Sequence, residues 1–136
     1  MSNLFSPGRI LVVDDAPVVR EALRWVIEDT PDLEMVGDAG EGREALARAA
    51  KLMPDVVVLD IHLPNLDGYD VARVLKSMPN PPAVVFLSVD SDTEAEQRGV
   101  KAGGDAFVPK AQGWDALLTQ IRAVLMARAK GKEQAE

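Results

Sequence analysis

The apolar run at residues 56–59, followed directly by Asp60, constrains the fold of this chain more than any other stretch. Three of its four residues are β-branched, and none is polar. An unbroken run of this kind is typical of a strand buried on both faces, as in a parallel sheet covered by helices. Asp60 then stands where the strand ends, and open α/β sheets bind ligands at the carboxyl ends of their strands. A single aspartate there could simply begin a loop, so its interpretation depends on the other strands.

Strand-like and helix-like segments alternate along the whole chain. We predict strands at residues 9–13, 34–37, 56–59, 83–87 and 105–108, and helices at 17–28, 41–52, 67–78, 92–102 and 114–127. This order predicts an α/β fold of five βα units, a doubly wound parallel sheet of five strands with right-handed crossovers. Pro17 suits the first turn of a helix, and Pro109 places the fifth strand at an edge of the sheet. The helix at 92–102 has few apolar residues and contains Gly99, which costs about 1 kcal/mol relative to alanine, so we expect it to be weak.

Length and composition exclude several classes of protein. The 136 residues suffice for one domain, and the absence of cysteine excludes disulfides and thiolate metal sites. Since the sequence shows neither a signal-peptide pattern nor an apolar run long enough to span a bilayer, we expect a cytoplasmic protein without membrane binding. The net charge of −7 disfavours direct binding of nucleic acid, which needs clustered lysine and arginine. We expect a flexible leader at 1–8, the domain at 9–127, and a polar C-terminal tail or the start of a linker at 128–136.

Polar residues of complementary chemistry follow four of the predicted strands. Asp14 and Asp15 follow the first strand, Asp60 the third, Ser88 the fourth and Lys110 the fifth. If the first and third strands are neighbours, three carboxylates meet, and they repel one another unless a cation lies among them. A hard divalent ion such as Mg²⁺ takes carboxylate, water and phosphate oxygens as ligands. Since an aspartate can serve as a covalent acceptor, the set predicts a site that handles a phosphoryl group.

Each of these residues also has a purely structural explanation. One of the adjacent aspartates, Asp14 or Asp15, should partly cap the helix that follows, where negative charge is favoured. Ser88 could cap a turn, Lys110 could be a solvated loop residue, and the only histidine, His62, is interpreted as an exposed loop residue. Taken singly, most of these residues are better explained by such a structural role. Because they occur together, at the ends of four strands, they indicate a functional site. No glycine-rich phosphate loop is present, which disfavours a nucleotide-binding protein.

Five separated motifs together resemble the receiver domain of two-component response regulators. The motifs are Val12–Asp15, Pro54–Asp60, Leu63–Gly68, Ser88 and Gly104–Lys110. The resemblance covers residues 9–127 and implies a chemotaxis-regulator-like, flavodoxin-like fold with strand order 2-1-3-4-5. Residues 19–23 and 34–39 look most like receivers that precede a helix-turn-helix output domain.

The resemblance implies a chemical role for each residue at the strand ends. Asp60 would be the phosphoacceptor. Asp14 and Asp15 would organise Mg²⁺, with Asp60 and the backbone carbonyl of His62 as further ligands. Lys110 would pair with a phosphoryl oxygen.

The resemblance also implies a switch formed by Ser88 and Phe107. The Ser88 hydroxyl would bind the phosphoryl group once it is present, and the Phe107 ring would change rotamer between the two states. Val89 departs from the small residue usual after this serine and would narrow access to the phosphoryl group, and Phe107 lacks the hydroxyl of a tyrosine. Ala111 stands where a proline often follows the lysine. We therefore expect a trans peptide there, because a non-proline cis bond costs about 2.5–4 kcal/mol.

The sequence thus predicts a phosphorylation-activated receiver domain of a two-component system or phosphorelay. It would accept its phosphoryl group from a sensor histidine kinase or a histidine phosphotransfer protein, and would catalyse only its own phosphorylation and dephosphorylation. A second copy of the chain is a further expected partner. The two copies would form a homodimer through the fourth helix, the fifth strand and the last helix.

Three alternatives remain from the sequence. The chain could be the isolated N-terminal receiver of a DNA-binding transcription regulator whose output domain is absent here. A small aspartyl-phosphate phosphatase would normally need a covering cap and an acid two residues after the nucleophile, where His62 stands. A pseudo-receiver used only for protein contacts is disfavoured because the acidic, hydroxyl and lysine residues are all present.

Overall fold

Five strands and five helices alternate in the computed structural model, which describes residues 6–90 and 92–135. The strands are β1 Gly8–Val13, β2 Leu33–Ala39, β3 Val56–Leu59, β4 Ala83–Ser88 and β5 Ala106–Pro109. The helices are α1 Pro17–Glu28, α2 Gly42–Leu52, α3 Gly68–Lys76, α4 Thr93–Lys101 and α5 Trp114–Ala135. A short 3₁₀ turn, Lys110–Gln112, joins β5 to α5. The predicted βα alternation is confirmed.

The strands form one parallel sheet in the order β2-β1-β3-β4-β5, as the flavodoxin-like prediction required. Val13 of β1 pairs with Leu59 of β3, so both strands end at the same level. The backbone N–H of Asp60 donates to the carbonyl of Val13 at 2.9 Å. Because the two strands are neighbours and in register, the residues that follow them meet at one edge of the sheet.

The apolar core lies in two layers, one on each face of the sheet. Residues 56–59 are at most 1% exposed, which confirms a strand buried on both faces. Successive side chains of a strand point to opposite faces. Val56 and Val58 therefore join the layer that includes α1 and α5, whereas Val57 and Leu59 join the layer that includes α2 and α3.

Strand β2 is longer than predicted, reaching Ala39 instead of ending at Gly37. Glycine and aspartate are depleted in strands, so Gly37 and Asp38 marked the end of the strand in the sequence. In the structure both residues pair with β1, opposite Leu11 and Val12, after a register shift. The extension brings Asp38 to the edge of the sheet where the acidic residues lie.

Helix α5 is also longer than predicted. It continues beyond Arg128 to Ala135, where we expected a polar tail at 128–136. The Arg128 guanidinium donates to the carbonyl of Pro81 at 2.6 Å and so ties this part of α5 to the loop before β4. At the other end, Gly8 already belongs to β1, while residues 1–5 of the expected leader and residue 136 of the expected tail lie outside the described residues.

Three smaller expectations are answered by the described residues. Strand β5 pairs with β4 and lies at the edge of the sheet as predicted, with Pro109 as its last residue. No cis peptide bond occurs in the described ranges, so the Lys110–Ala111 peptide is trans. No helix of the described chain is both long and apolar enough to cross a bilayer.

Candidate metal and phosphoryl site

Three carboxylates meet at the carboxyl edge of the sheet. Asp14, Asp15 and Asp60 each offer an oxygen, and these oxygens lie within 4.8 Å of one another. Asp14 and Asp60 are 1% and 5% exposed, whereas Asp15 is exposed. The expectation that strand ends bring these residues together is confirmed, and the donor set fits a hard divalent cation, which prefers oxygen ligands.

Lys110 lies beside two of the carboxylates, in the 3₁₀ turn that follows β5. Its ammonium nitrogen is 3.0 Å from Oδ2 of Asp14 and 3.5 Å from Oδ2 of Asp60. Burial opposes the charged form of this amine, but its contacts with Asp14 and Asp60 outweigh burial and raise the pKa of Lys110. The side chain is therefore a fixed positive charge at the site and not a solvated loop lysine.

One oxygen of Asp14 is buried without a hydrogen bond. Oδ1 accepts from the backbone N–H of Ala16 at 2.9 Å. Oδ2 is in ion-pair range of Lys110, yet no donor among the described residues reaches it with hydrogen-bond geometry. The Lys110 ammonium offsets part of the charge on this oxygen, but no hydrogen bond from the described residues satisfies it. This oxygen is the observation that best fits a bound cation at the three carboxylates.

The surroundings of Asp60 disfavour the ionised form of its carboxyl group. Burial, and then the negative charge of Asp14, raise the pKa of Asp60 to about 6. The backbone N–H of His62, which donates to Oδ1 of Asp60 at 3.1 Å, and the charge of Lys110 act in the opposite direction. A divalent cation would favour the ionised carboxylate, the form that can act as a nucleophile.

Neither aspartate after β1 caps helix α1 through its side chain. The N-cap residue of α1 is Ala16, and no side chain in the described part of the chain caps this end, while Pro17 occupies the first turn as predicted. Asp14 instead accepts a hydrogen bond from Ala16 itself. The expected partial cap was therefore wrong, because the side chain is drawn back toward the sheet edge and Lys110.

The loops after β3 and β4 are joined through His62. Ser88, at the end of β4, is fully buried, and its hydroxyl oxygen accepts from the backbone N–H of Asp90 at 3.1 Å. The ring of His62 is exposed as expected, but its Nε2 lies 2.6 Å from Oδ2 of Asp90. Sequence reasoning missed Asp90, since nothing in its own neighbourhood indicates a partner in a different loop. Val89, between the two, is 69% exposed.

An aromatic row connects the site region to β5. The ring of Tyr69 in α3 lies 5.7 Å from that of Phe86 in β4, and Phe86 lies 6.3 Å from Phe107 in β5. A cavity of about 130 Å³ opens between α4 and β5, with Gly99, Val100 and Phe107 among its lining residues. Phe107 therefore has open space beside it, as a side chain that changes rotamer would need.

Gly68 fixes the loop that carries Asp60. Its backbone N–H donates to the carbonyl of Ile61 at 2.7 Å, and the side chain of the preceding Asp67 caps α3. A Cβ atom at Gly68 would lie 2.3 Å from the carbonyl oxygen of Asp60. The first residue of α3 is thus at a close backbone approach that only glycine permits.

Comparison with known protein families agrees with this geometry. A family model described as the response regulator receiver domain matches residues 10–122. The protein-glutamate methylesterase/protein-glutamine glutaminase of a Nocardioides strain is 34% identical, and the match covers 91% of this chain and 36% of that protein. The uncharacterized transcriptional regulatory protein YxjL of Bacillus subtilis is 31% identical over 89% of this chain and 56% of its own length. The chain thus spans about a third of the methylesterase and just over half of YxjL.

Solved structures show the same fold. A two-component response regulator of the LuxR family from Aurantimonas has a TM-score of 0.82 and 28% identity, and the match covers 96% of this chain and all of that one (100%). The signal receiver domain of NarL from Mycobacterium tuberculosis has a TM-score of 0.80 and 28% identity, with coverage of 93% and 98%.

Proposed function

The chain belongs to the family of response regulator receiver domains, and from this premise we propose that Asp60 is its phosphoacceptor. The observation that carries the proposal is the position of Asp60 beside a fixed ammonium and two further carboxylates, directly after the central strand. An oxygen of Asp60 would attack the phosphorus atom of the donor. The new O–P bond would replace the bond from phosphorus to the leaving group, which departs with the bonding electron pair.

We propose that Mg²⁺ is held by the side chains of Asp14, Asp15 and Asp60 and by the backbone carbonyl of His62. The unsatisfied Oδ2 of Asp14 and the mutual approach of the three carboxylates support this ligand set. Bound Mg²⁺ would neutralise charge on phosphoryl oxygens. Without it, the carboxylates would repel an incoming phosphoryl group.

Lys110 and Ser88 would hold the phosphoryl group once it is on Asp60. The ammonium of Lys110 already lies near Asp60, so it would pair with a phosphoryl oxygen with little movement. The Ser88 hydroxyl accepts from Asp90, and a hydroxyl that accepts one hydrogen bond can still donate another. Its proton is therefore available for a phosphoryl oxygen.

The donor would be a phosphohistidine of a sensor histidine kinase or of a histidine phosphotransfer protein. The domain would act as a switch that catalyses only its own phosphorylation and dephosphorylation, and not as a turnover enzyme. Because the curated relatives are longer, the domain would control an output carried by another segment or another protein, a transcription regulator being one such case.

Asp60 labelling tests the proposal directly. After treatment with acetyl phosphate and Mg²⁺, intact-mass analysis should show one phosphoryl adduct, which EDTA suppresses. Asp60→Ala should abolish the adduct, whereas Asp115→Ala, which replaces an exposed aspartate of α5, should leave it unchanged. Full labelling of the Asp60→Ala protein would refute the assignment of the phosphoacceptor.

We further propose that Ser88, Phe107 and the face formed by α4, β5 and α5 make up the switch, and that this face supports a homodimer. Among its residues α4 buries only Ala95 and Gly99, so it has few apolar anchors. Helices with few buried apolar contacts unfold locally more readily than the rest of a domain. A Ser88 hydroxyl drawn toward the phosphoryl group would leave space near β5 into which the Phe107 ring could turn, and the cavity beside that ring offers further room.

Hydrogen exchange would locate the switch. With beryllofluoride, which mimics the phosphoryl group, amide exchange should change most in residues 88–112 and at the start of α5. The comparison is the same protein with Mg²⁺ alone, which separates the effect of the cation from that of the phosphoryl mimic. Changes restricted to α1 and α2 would show that the switching face is wrong.

A further inference from the structure

We propose that Arg20 is a positioning residue that orients the Asp14–Asp15 peptide and thereby sets the affinity of the acidic cluster for a divalent cation. This inference rests on the proposed function, because it takes Asp14 and Asp15 as ligands of that cation. In the sequence Arg20 belongs to the polar side of α1 and carries no signal of such a role.

The guanidinium of Arg20 is anchored at two points. Its Nη1 donates to the backbone carbonyl of Asp14 at 2.6 Å. Its Nε donates to Oδ2 of Asp38 at 2.8 Å, and the Arg20 side chain is only 21% exposed. Asp38 lies near the end of β2, in the part of that strand that pairs with β1. Because the guanidinium is a rigid planar fork, Asp38 fixes the direction from which Arg20 reaches Asp14.

The backbone of Asp14 is held on both sides. Its N–H donates to the carbonyl of Ala39 at 3.1 Å, and its carbonyl accepts from Arg20. That carbonyl belongs to the peptide group that joins Asp14 to Asp15. Since a peptide group is planar, a restraint on its oxygen also restrains the nitrogen and Cα atom of Asp15.

Among the described residues, the side chain of Asp15 has no hydrogen-bond partner of its own, so its position depends on the backbone, which the contact of Ala16 with Asp14 Oδ1 and the contact of Arg20 both restrain. It is exposed, and across residues 6–90 and 92–135 its side chain makes no hydrogen bond and no ion pair, in contrast to Asp14 and Asp60. The backbone alone therefore places its carboxylate beside the other two. Loss of the Arg20 contact would let this carboxylate move away from the cluster.

Arg24 provides a matched control on the same helix. It lies one turn further along α1, and its guanidinium is 3.6 Å from Oδ1 of the same Asp38. It also lies 3.8 Å from a carboxylate oxygen of Glu28, but it makes no hydrogen bond to Asp14 within the described residues. Arg20 and Arg24 thus carry the same charge and share one acidic partner, but of the two it is Arg20 that hydrogen-bonds to Asp38 and to the Asp14 carbonyl.

A positioning role and a charge effect predict opposite signs. Removal of a positive charge near three carboxylates should strengthen binding of a divalent cation. Loss of positioning should weaken it, and removal of partners that orient metal ligands typically lowers metal affinity about 10–100-fold. We expect Arg20→Met to bind Mg²⁺ at least about tenfold more weakly than the unsubstituted chain, and Arg24→Met to bind it equally well or slightly better.

The test is a calorimetric Mg²⁺ titration of the 136-residue chain and its variants, with thermal unfolding in EDTA as the measure of folding. Arg20→Lys is the second variant. It keeps the charge, but a single ammonium group cannot reproduce the fork that reaches both Asp38 and the Asp14 carbonyl. We expect Arg20→Lys to lose Mg²⁺ affinity as Arg20→Met does, and this variant decides the matter if Arg20→Met does not fold.

Three results would overturn the inference. Equal or tighter Mg²⁺ binding by Arg20→Met than by Arg24→Met would show a charge effect only, and full affinity in Arg20→Lys would do the same. If the unsubstituted chain itself failed to bind Mg²⁺, the proposed metal site would fail together with this inference. Normal binding by the unsubstituted chain with unaffected Arg20 variants would remove the positioning role alone.

Discussion

In EDTA at pH 7.5, Asp60→Asn should make the protein more stable to heat, although it removes the proposed phosphoacceptor. Asp60 is buried next to the charge of Asp14, and these two causes raise its pKa from an ordinary value of 3.8 to about 6. The folded protein thus holds a proton on Asp60 over a pH range in which the unfolded chain has already released it. The contribution of Asp60 to stability is complete below about pH 4 and is lost as the pH rises through 6.

The size of the effect follows from the same pKa values. A rise from 3.8 to about 6 corresponds to about 3 kcal/mol at neutral pH, taking about 1.36 kcal/mol per pKa unit. Asparagine carries no charge, and its amide oxygen can still accept the hydrogen bond from the backbone N–H of His62. Asp60→Asn should therefore gain most of this energy above pH 7, and its advantage should disappear near pH 4.

Mg²⁺ should shrink or reverse the difference between the two proteins. A ligand that binds only the folded state stabilises it by an amount that grows with the logarithm of the ratio of free ligand concentration to Kd. The unsubstituted protein should gain more from Mg²⁺ than Asp60→Asn, which lacks one charged ligand.

Thermal unfolding between pH 4 and 8, in EDTA and in excess Mg²⁺, measures both effects. Asp115→Asn, at an exposed position, is the control for a simple change of net charge. An Asp60→Asn protein less stable than the unsubstituted one in EDTA at pH 7.5 would contradict the argument.

Strand β3, which directly precedes Asp60, was predictable because one physical cause dominates it. Residues 56–59 are buried on both faces, so their composition is almost uniformly apolar and β-branched. The end of β2 was not predictable in the same way. Gly37 and Asp38 are poor strand residues, and their pairing is imposed by β1 alongside them. Helix α5 was underestimated because the prediction followed its apolar stripe, which ends before the helix does.

In the candidate site, too, some residues were predictable from the sequence and others were not. Asp14, Asp60 and Lys110 follow strands directly, and the topology of a parallel sheet brings strand ends together whatever the intervening helices are. Arg20 and Asp90 were missed because their contacts have no periodicity. Arg20 binds a backbone carbonyl, which has no identity in the sequence, and Asp90 meets His62 across 28 residues of chain.

Gly68→Ala should be strongly destabilising, with a decrease in the thermal midpoint of about 10 °C. The Cβ atom of the alanine would lie 2.3 Å from the carbonyl oxygen of Asp60 and 2.6 Å from the Cα atom of Ile61. Both are backbone atoms, so neither can turn aside as a side chain could. Overpacking typically costs about 1–3 kcal/mol, and contact with backbone places this substitution at the upper end. For a domain of this size, about 3 kcal/mol corresponds to the stated decrease.

Gly131→Ala is the matched control for this substitution. Gly131 also lies in a helix, but a Cβ atom there would meet nothing within 4 Å. Alanine is favoured over glycine inside a helix by about 1 kcal/mol, so this variant should be slightly more stable than the unsubstituted protein. The two variants make the same chemical change in a helix, and the contact with the loop after β3 is what distinguishes them.

Gly68→Ala should also impair phosphorylation beyond its effect on stability. To relieve the contact, either α3 or the loop from Asp60 to His62 has to move, and that loop contains the proposed acceptor and a proposed metal-ligating carbonyl. At a temperature where the variant remains folded, labelling of Asp60 by acetyl phosphate should therefore be slower than in Gly131→Ala. A Gly68→Ala protein as stable as Gly131→Ala would show that the close approach of Gly68 to the Asp60 carbonyl is not a constraint on the fold. Normal labelling despite lower stability would show that α3 moves to relieve the contact and that the loop after β3 stays in place.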